Sequence, residues 1–507
     1  MSKQHHHLTK NTFIVSLATL LSRILGFGRD LCLAVTLGAR AEADAFFVAF
    51  RIPNLLRRLF AEGSLSLAFI PVFTQTKTKK NKEEAFVLAR SVQIWLILIL
   101  GIIILFGLIW TKPLIALIAP GFKNNPRIFQ LTTSLTRICL PYILFISSVA
   151  LYMGILNSFH HFLTPALAPC FLNLVLIAAA FTGYFLHLSI SYSLAWGVLI
   201  AGIVQVISQI PALKKTGFNF RGQVKLFSPE IKKIFTLILP TVFGAAIYQI
   251  NILFITLLAS FLPHGSISYL YYADRLVQFP LGIFGIAIGT VALPAFSSLI
   301  AQKKWKELSL SLSSALNLNL FIILPASAGL IGLARPIISL LFQHGTFTAL
   351  DVKATSLALM AYALGLPAFS LTKTLVSTFY AFEDSKTPVF AASLSLILNI
   401  ILGLILMRFF KHAGLALAVS FSSWCNILFL SFKLSSKIPF SLNKKELIFA
   451  IMLSVIILFF TFWLQKFHTY SLISIPLIAL FYLGIGKLFC INSANLIFST
   501  FKQKYLR

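Results

Sequence analysis

Apolar stretches about as long as a bilayer is thick recur from one end of this chain to the other, and few folds can absorb them. A helix crossing the hydrocarbon needs about 20 such residues. Windows of that kind fall at roughly 10–38, 41–76, 85–111, 130–158, 163–186, 190–213, 230–261, 266–301, 307–334, 348–382, 387–409, 412–432, 446–466 and 469–490. Lipid offers no hydrogen bonds, so each run must satisfy its own backbone and becomes a helix. The expected fold is therefore an all-α polytopic membrane protein with about fourteen transmembrane helices. Of the 507 residues 58% are hydrophobic and 11% charged, against roughly 45–50% and 25% in soluble domains. That excludes a disordered, disulfide-rich secreted or ordinary cytosolic protein. The first, second, eighth and tenth windows are interrupted by charges or glycines. Thr12–Leu25 runs into Gly26-Phe27-Gly28-Arg29-Asp30 without a small-residue cleavage site, so it reads as a retained span rather than a signal peptide.

Charge adds orientation. Lys and Arg total 42 and Asp and Glu 13, a net +29. Nucleic-acid binding would need those bases in a soluble domain, and no long hydrophilic stretch exists. Alternate loops hold eighteen basic residues, from Lys77 to Lys445, and the intervening loops nine, from Arg40 to Lys466. The richer set is cytoplasmic by the positive-inside rule. An even number of spans then puts both termini inside, with Lys3, Lys10, Lys502, Lys504 and Arg507. Cys32, Cys139, Cys170, Cys425 and Cys490 are scattered singly, so neither a zinc site nor a disulfide framework is supported. His5-His6-His7 reads as a solvated run or an added tag, not as a metal site.

The residues that carry function are charges placed where charges are costly, about 2.5–3.5 kcal/mol each at mid-membrane on insertion scales. The first span holds Arg23, Arg29 and Asp30, the second Arg51, Arg57, Arg58 and Glu62 with Asp44 near its entrance, the fourth Arg137, and the eighth Asp274 and Arg275. In these four spans seven arginines face three acids, Asp30, Glu62 and Asp274, and no lysine accompanies them. Arginine stays charged and presents a planar fork that suits phosphate. A central cationic cavity for phosphate or pyrophosphate is the expectation. Arg51 and Arg58 lie two turns apart and Glu62 follows Arg58 by four, a spacing that allows a pair. Gly26 and Gly28 would let the first helix bend and swing Arg29 inward. At the end of the tenth span Asp384 precedes Lys386-Thr387-Pro388, where a helix cap competes with a coupling-cation ligand. His160-His161 reads as turn packing. No Walker A, GxSxG, HExxH or paired-Asp motif occurs, so neither ATP-driven transport nor hydrolysis is supported, and no cofactor is expected.

An internal repeat is visible. Ile70-Pro71-Val72-Phe73 returns as Leu293-Pro294-Ala295-Phe296, 223 residues on, and each follows an embedded arginine. Duplicated halves with the substrate at their interface are a common transporter plan.

Several segments resemble a known family. Ser22-Arg23-Ile24-Leu25-Gly26-Phe27-Gly28-Arg29-Asp30 and the run from Asp44 through Arg51-Ile52-Pro53-Asn54-Leu55-Leu56-Arg57-Arg58 to Gly63 look like the signature of the MurJ (MviN) lipid II flippases. These belong to the multidrug/oligosaccharidyl-lipid/polysaccharide exporter superfamily. The resemblance continues through Pro141-Tyr142-Ile143-Leu144, Pro165 to Asn173, Tyr271-Tyr272-Ala273-Asp274-Arg275-Leu276, Phe342-Gln343-His344-Gly345, Lys386-Thr387-Pro388 and Lys411 to Leu415. It implies a multi-pass flippase in the bacterial cytoplasmic (inner) membrane that moves lipid II, an undecaprenyl-pyrophosphate-linked peptidoglycan precursor, from inner to outer leaflet. It also implies two six-helix lobes, 1–223 and 224–440, and two further helices with the tail at 441–507. The family's cavity arginines match Arg23, Arg29, Arg57 and Arg275, with Asp30, Asp44 and Asp274 as acidic companions and Glu62 beside them. The acid that some members carry on the seventh helix has no counterpart between Leu237 and Phe261. This leaves membrane potential and monovalent-cation coupling, with Asp384 as the candidate ligand, both open. The expected partners are lipid II and membrane lipids, with no nucleic acid, and the chain is expected to act as a monomer.

Other classes fit less well. A drug or cation antiporter needs cavity acids, which arginines outnumber. An enzyme acting on polyprenyl phosphates needs a carboxylate–metal cluster or a basic-histidine triad. A flippase for another polyprenyl-pyrophosphate-linked oligosaccharide shares the arginine logic and is the nearest alternative.

Overall fold

The computed structural model describes residues 3–58, 65–464, 474–489 and 491–495. The chain folds as two compact units, residues 1–265 with 344–347, and residues 266–343 with 348–507.

The first unit is built from α1 (Lys3–Leu37), α2 (Ala41–Leu56), α3 (Ser66–Lys79), α4 (Lys82–Ile109), α5 (Thr111–Ile118), a 3-10 turn (Pro120–Asn124), α6 (Pro126–Cys139), α7 (Tyr142–Ser158), α8 (Leu163–Phe185), α9 (Ile190–Lys215) and α10 (Pro229–Ser260). Asn81, Asn125 and Ser228 start α4, α6 and α10, their side chains accepting the N–H of Glu84, Ile128 and Ile231. These caps satisfy N–H groups that the helix leaves open. α6 gives way to α7 at Leu140-Pro141, where proline cannot donate to the preceding turn. α1 lies along α8, and α8 along α9. Phe69, Phe73, Phe86, Ile155, Leu156 and Leu213 form a buried core that also takes in Ile231 and Ile234. Through those two isoleucines α10 packs on α3 and α4. The contacts place α10 in the first unit, which runs to residue 265.

The second unit contains α11 (Ser266–Pro280), a π-helical turn (Leu281–Gly285), α12 (Ile286–Ala301), α13 (Trp305–Gly332), α14 (Ala334–Phe342), α15 (Ala349–Ala363), α16 (Leu366–Ala381), α17 (Lys386–Ser435), α18 (Lys444–Leu464) and α19 (Ser474–Leu488). α17 holds two helices joined at Lys411, whose φ of 51° and ψ of −131° break the helical path. Thr348 and Asp351 form a reciprocal capping box at the start of α15. Phe296, Leu312, Phe379 and Leu430 centre one core. A second core joins Phe321 of α13 to Ile457 of α18 and Tyr482 of α19, whose hydroxyl donates to the Phe321 carbonyl at 2.8 Å.

Among the described residues nine helical stretches are long and apolar enough to cross a membrane. On α4, Leu98, Ile102, Leu105 and Ile109 are all exposed along one face, as are Ile448, Met452, Val455 and Phe459 on α18. Apolar stripes of that length have no place in water and face lipid.

The 223-residue spacing recurs in the helix starts from α4 to α17. Lys82 and Trp305 open α4 and α13, Thr111 and Ala334 open α5 and α14, Pro126 and Ala349 open α6 and α15, and Leu163 and Lys386 open α8 and α17, each pair 223 apart. Even the turns are copied. His160 and Glu383 take up left-handed φ of 59° and 60°. The next residue in each turn donates back to the helix it leaves, His161 to Leu156 at 2.9 Å and Asp384 to Phe379 at 3.0 Å. Such a helix end satisfies the last open carbonyls.

Candidate functional site

α1 runs as one continuous helix through Gly26 and Gly28. Arg29 is placed by neighbours. Its Nε and Nη2 donate to Oδ1 of Asp30 at 3.0 and 2.7 Å, and its Nη1 donates to Oδ1 of Asn173 on α8 at 3.1 Å. The Asn173 amide in turn donates to the Ser22 carbonyl at 3.1 Å. Gly26 matters for proximity: a Cβ there would sit 3.4 Å from the Asn173 Nδ2. Arg29 and Asp30 are 8% and 3% exposed, so this is a buried, hydrogen-bonded pair. Breaking such a pair on one side costs about 3–5 kcal/mol.

The end of α2 supplies the next group. The backbone turns π-helical at Arg57 and Arg58, a distortion often found where function needs a side chain re-aimed. The Nε and Nη2 of Arg57 both donate to Oδ1 of Asn54, at 3.0 and 2.8 Å. One turn earlier Arg51 donates to the Thr256 hydroxyl of α10. In the second unit Arg275 lies over the Tyr271 ring, 4.7 Å from its centroid, and donates to that hydroxyl at 3.1 Å. Arg51, Arg57 and Arg275 are thus each gripped by an uncharged side chain.

Other residues behave differently. Arg23 and Arg137 are exposed and Arg58 is half-buried. Asp44 is 2% exposed and accepts the Gly265 N–H at 2.6 Å, so it pins the turn that leads into α11. Asp274 accepts from the amide of Gln278, one turn on, at 3.3 Å. Glu62 and its spacing to Arg58 lie outside the described residues.

Asp384 serves as a helix cap. Its carboxylate accepts the Thr387 N–H and hydroxyl at 3.0 and 2.8 Å and pairs with the Lys437 ammonium at 2.7 Å. The same contact exists one repeat earlier, where His161 meets the Thr164 hydroxyl at 3.0 Å. An ammonium therefore already sits on this carboxylate.

Two residues escaped the sequence reading. Asn173 is one polar amide in an apolar run, and such a residue in a membrane helix usually hydrogen-bonds across helices. Lys373, in the middle of α16, is an embedded cation outside the four spans counted above. α12 approaches it so closely that a Cβ on Gly289 would lie 3.2 Å from its backbone.

Buried guanidinium groups among membrane-length helices define a class, and the fold agrees. The chain is similar to a solved multidrug resistance MATE family transporter of the MOP superfamily in its inward-facing conformation, with a TM-score of 0.67, covering 84% of this chain and 98% of that one. At 14% identity this shows the fold alone. Nearer relatives narrow it. The family model described as Lipid II flippase MurJ matches residues 33–481. A protein of Buchnera aphidicola subsp. Acyrthosiphon pisum, named a probable lipid II flippase MurJ, is 38% identical over 498 residues, 96% of this chain and 97% of its own. The solved structure of a lipid II flippase MurJ in an inward closed conformation matches with a TM-score of 0.81 at 30% identity, covering 98% of this chain and all of that one. The chain belongs to the lipid II flippase MurJ family.

Proposed function

We propose that this chain is a transporter, not an enzyme, that carries lipid II from the inner to the outer leaflet of the bacterial cytoplasmic membrane and so supplies cell-wall synthesis. The observation that carries the reading is membership of the MurJ family over residues 33–481. The arginine geometry supports a reading of how the work is done. The cargo has a doubly anionic pyrophosphate that must leave water, and the compensating charge has to be fixed before it arrives. Arg57 and Arg275, held by Asn54 and Tyr271, and Arg29, held by Asp30 and Asn173, grip the pyrophosphate. Arg23, exposed on α1, guides it in, and Lys373 adds charge in the second unit.

The two repeated halves rock about this cationic site by alternating access, and the prenyl tail stays in lipid beside α18 and α19. The chain crosses the membrane fourteen times, with both termini in the cytoplasm, and works as a monomer. With Asp384 occupied by Lys437, the membrane potential is the favoured driving force: it acts on the net charge moved without needing a cation ligand.

Depletion of the protein in cells, followed by a leaflet-resolved assay of lipid II, tests the cargo. Accumulation on the cytoplasmic face is expected, and an unchanged outer-leaflet supply would point to a different cargo. Arg29→Ala, Arg57→Ala and Arg275→Ala should each insert normally and abolish transport. Near-normal complementation by all three would defeat the site.

A further inference from the structure

Away from the arginines, the ends of α3 and α4 and the start of α10 enclose a cavity of about 240 Å³. Its wall carries Lys80 and Lys225, Glu84 and Glu230, and Phe227. The wall is held firmly. Arg90 of α4 donates to the carbonyls of Gln223 and Asn219 at 3.0 and 3.1 Å and pairs with Glu83 at 2.7 Å. The 216–228 segment passes so close over that guanidinium that a Cβ on Gly222 would lie 2.8 Å from its Cζ. The Lys225 N–H donates to Ser91 Oγ at 2.9 Å, and the Trp95 indole donates to the Leu226 carbonyl at 2.9 Å.

The charges in the wall are arranged as two crossed pairs, Lys80 with Glu230 at 2.8 Å and Lys225 with Glu84 at 3.0 Å. Both lysines are about half exposed. Pairs of that kind are worth little, so a ligand bearing both signs can replace each partner at small cost. Phe227 is 90% exposed and meets Trp95 edge-on at 6.0 Å, and Trp95 meets Phe235 at 5.8 Å. α4 then continues into its lipid-facing stripe at Leu98 and Ile102. A tryptophan with its N–H satisfied and its ring against apolar groups belongs at headgroup level.

We infer that this cavity binds the headgroup of phosphatidylethanolamine. The phosphate lies against Lys80 and Lys225, the ammonium against Glu84 and Glu230, and the acyl chains run along Trp95, Phe227 and Phe235. A glycerol headgroup has no cation for the two glutamates. A choline headgroup has no N–H to donate to them.

Native mass spectrometry of the purified full-length chain, offered equal phosphatidylethanolamine, phosphatidylglycerol and phosphatidylcholine, tests this. Retention of phosphatidylethanolamine should exceed either competitor by roughly fivefold, the order of one weak ion pair. The double variant Glu84→Gln/Glu230→Gln should erase that preference by lowering phosphatidylethanolamine retention and raising that of phosphatidylglycerol, and Lys80→Ala/Lys225→Ala should lower both. Phe227→Ala, which leaves the charged wall intact, should shorten retention of all three. Equal retention of the three lipids by the native chain, or a preference that survives loss of both glutamates, overturns the assignment. Displacement by soluble glycerophosphoethanolamine at equal concentration would assign the cavity to a water-soluble ligand and overturn it as a lipid site.

Discussion

Asn173 on α8 accepts a hydrogen bond from Arg29 on α1 at 3.1 Å, across 144 residues of sequence. Arg29 also donates twice to the carboxylate of Asp30 beside it, so the amide and the carboxylate together hold it. Interhelical hydrogen bonds in membranes average about 0.6 kcal/mol and reach about 1.7. Asn173→Ala should therefore slow lipid II flipping roughly 3- to 20-fold without loss of insertion. An initial-rate flipping assay on reconstituted protein checks it, and an unchanged rate would show that Asp30 suffices to aim the guanidinium.

Arg57 offers two nitrogens to one oxygen of Asn54. A lysine keeps the charge but has no fork. Arg57→Lys should then lose nearly as much transport as Arg57→Ala, as read by complementation after depletion of the native protein. Full rescue by lysine would reduce the site to a point charge.

Tyr271 holds Arg275 in two ways, by its hydroxyl and by its ring. Tyr271→Phe keeps the ring, and its loss is limited to one hydrogen bond. Tyr271→Ala also removes a cation–π contact of about 0.5–2 kcal/mol. The expected order of flipping rates is native, then Phe, then Ala. A phenylalanine variant as slow as alanine would place the whole effect on the hydroxyl.

At the start of α17 the Lys437 ammonium, and after it the Thr387 N–H, hold the Asp384 carboxyl down at about 2, from an ordinary value of 3.8. A carboxyl depressed on folding contributes stability above its unfolded value and loses it as pH falls through the folded one. The stabilisation is thus complete above about pH 5 and is lost progressively down to about pH 1. Asp384→Asn keeps an oxygen for the Thr387 N–H but loses the ion pair. The gap in melting temperature between native and Asp384→Asn protein should be constant at neutral pH, narrow below about pH 5 and be mostly lost by about pH 2. A gap as wide at pH 2 as at neutral pH would assign the effect to the cap, not to the charge.

The sequence by itself determined how many long apolar runs there are, where they lie, and which arginines interrupt them. Hydrocarbon thickness and the cost of a buried charge act on each segment separately, so the residues of one run are enough to read them. It also showed the 223-residue repeat in a few residues around Pro71 and Pro294, and the helix starts then followed that repeat through α17. Tertiary structure decided what each charge does. Asp44 went to the Gly265 N–H, Arg51 to Thr256, Arg29 to Asn173, and Asp384 to Lys437, partners 53 to 221 positions away. It also packed α10 with the helices before it. A guanidinium or carboxylate in lipid must find a partner within about 3 Å, and which helix offers one depends on which helices pack side by side, a property that no single segment contains.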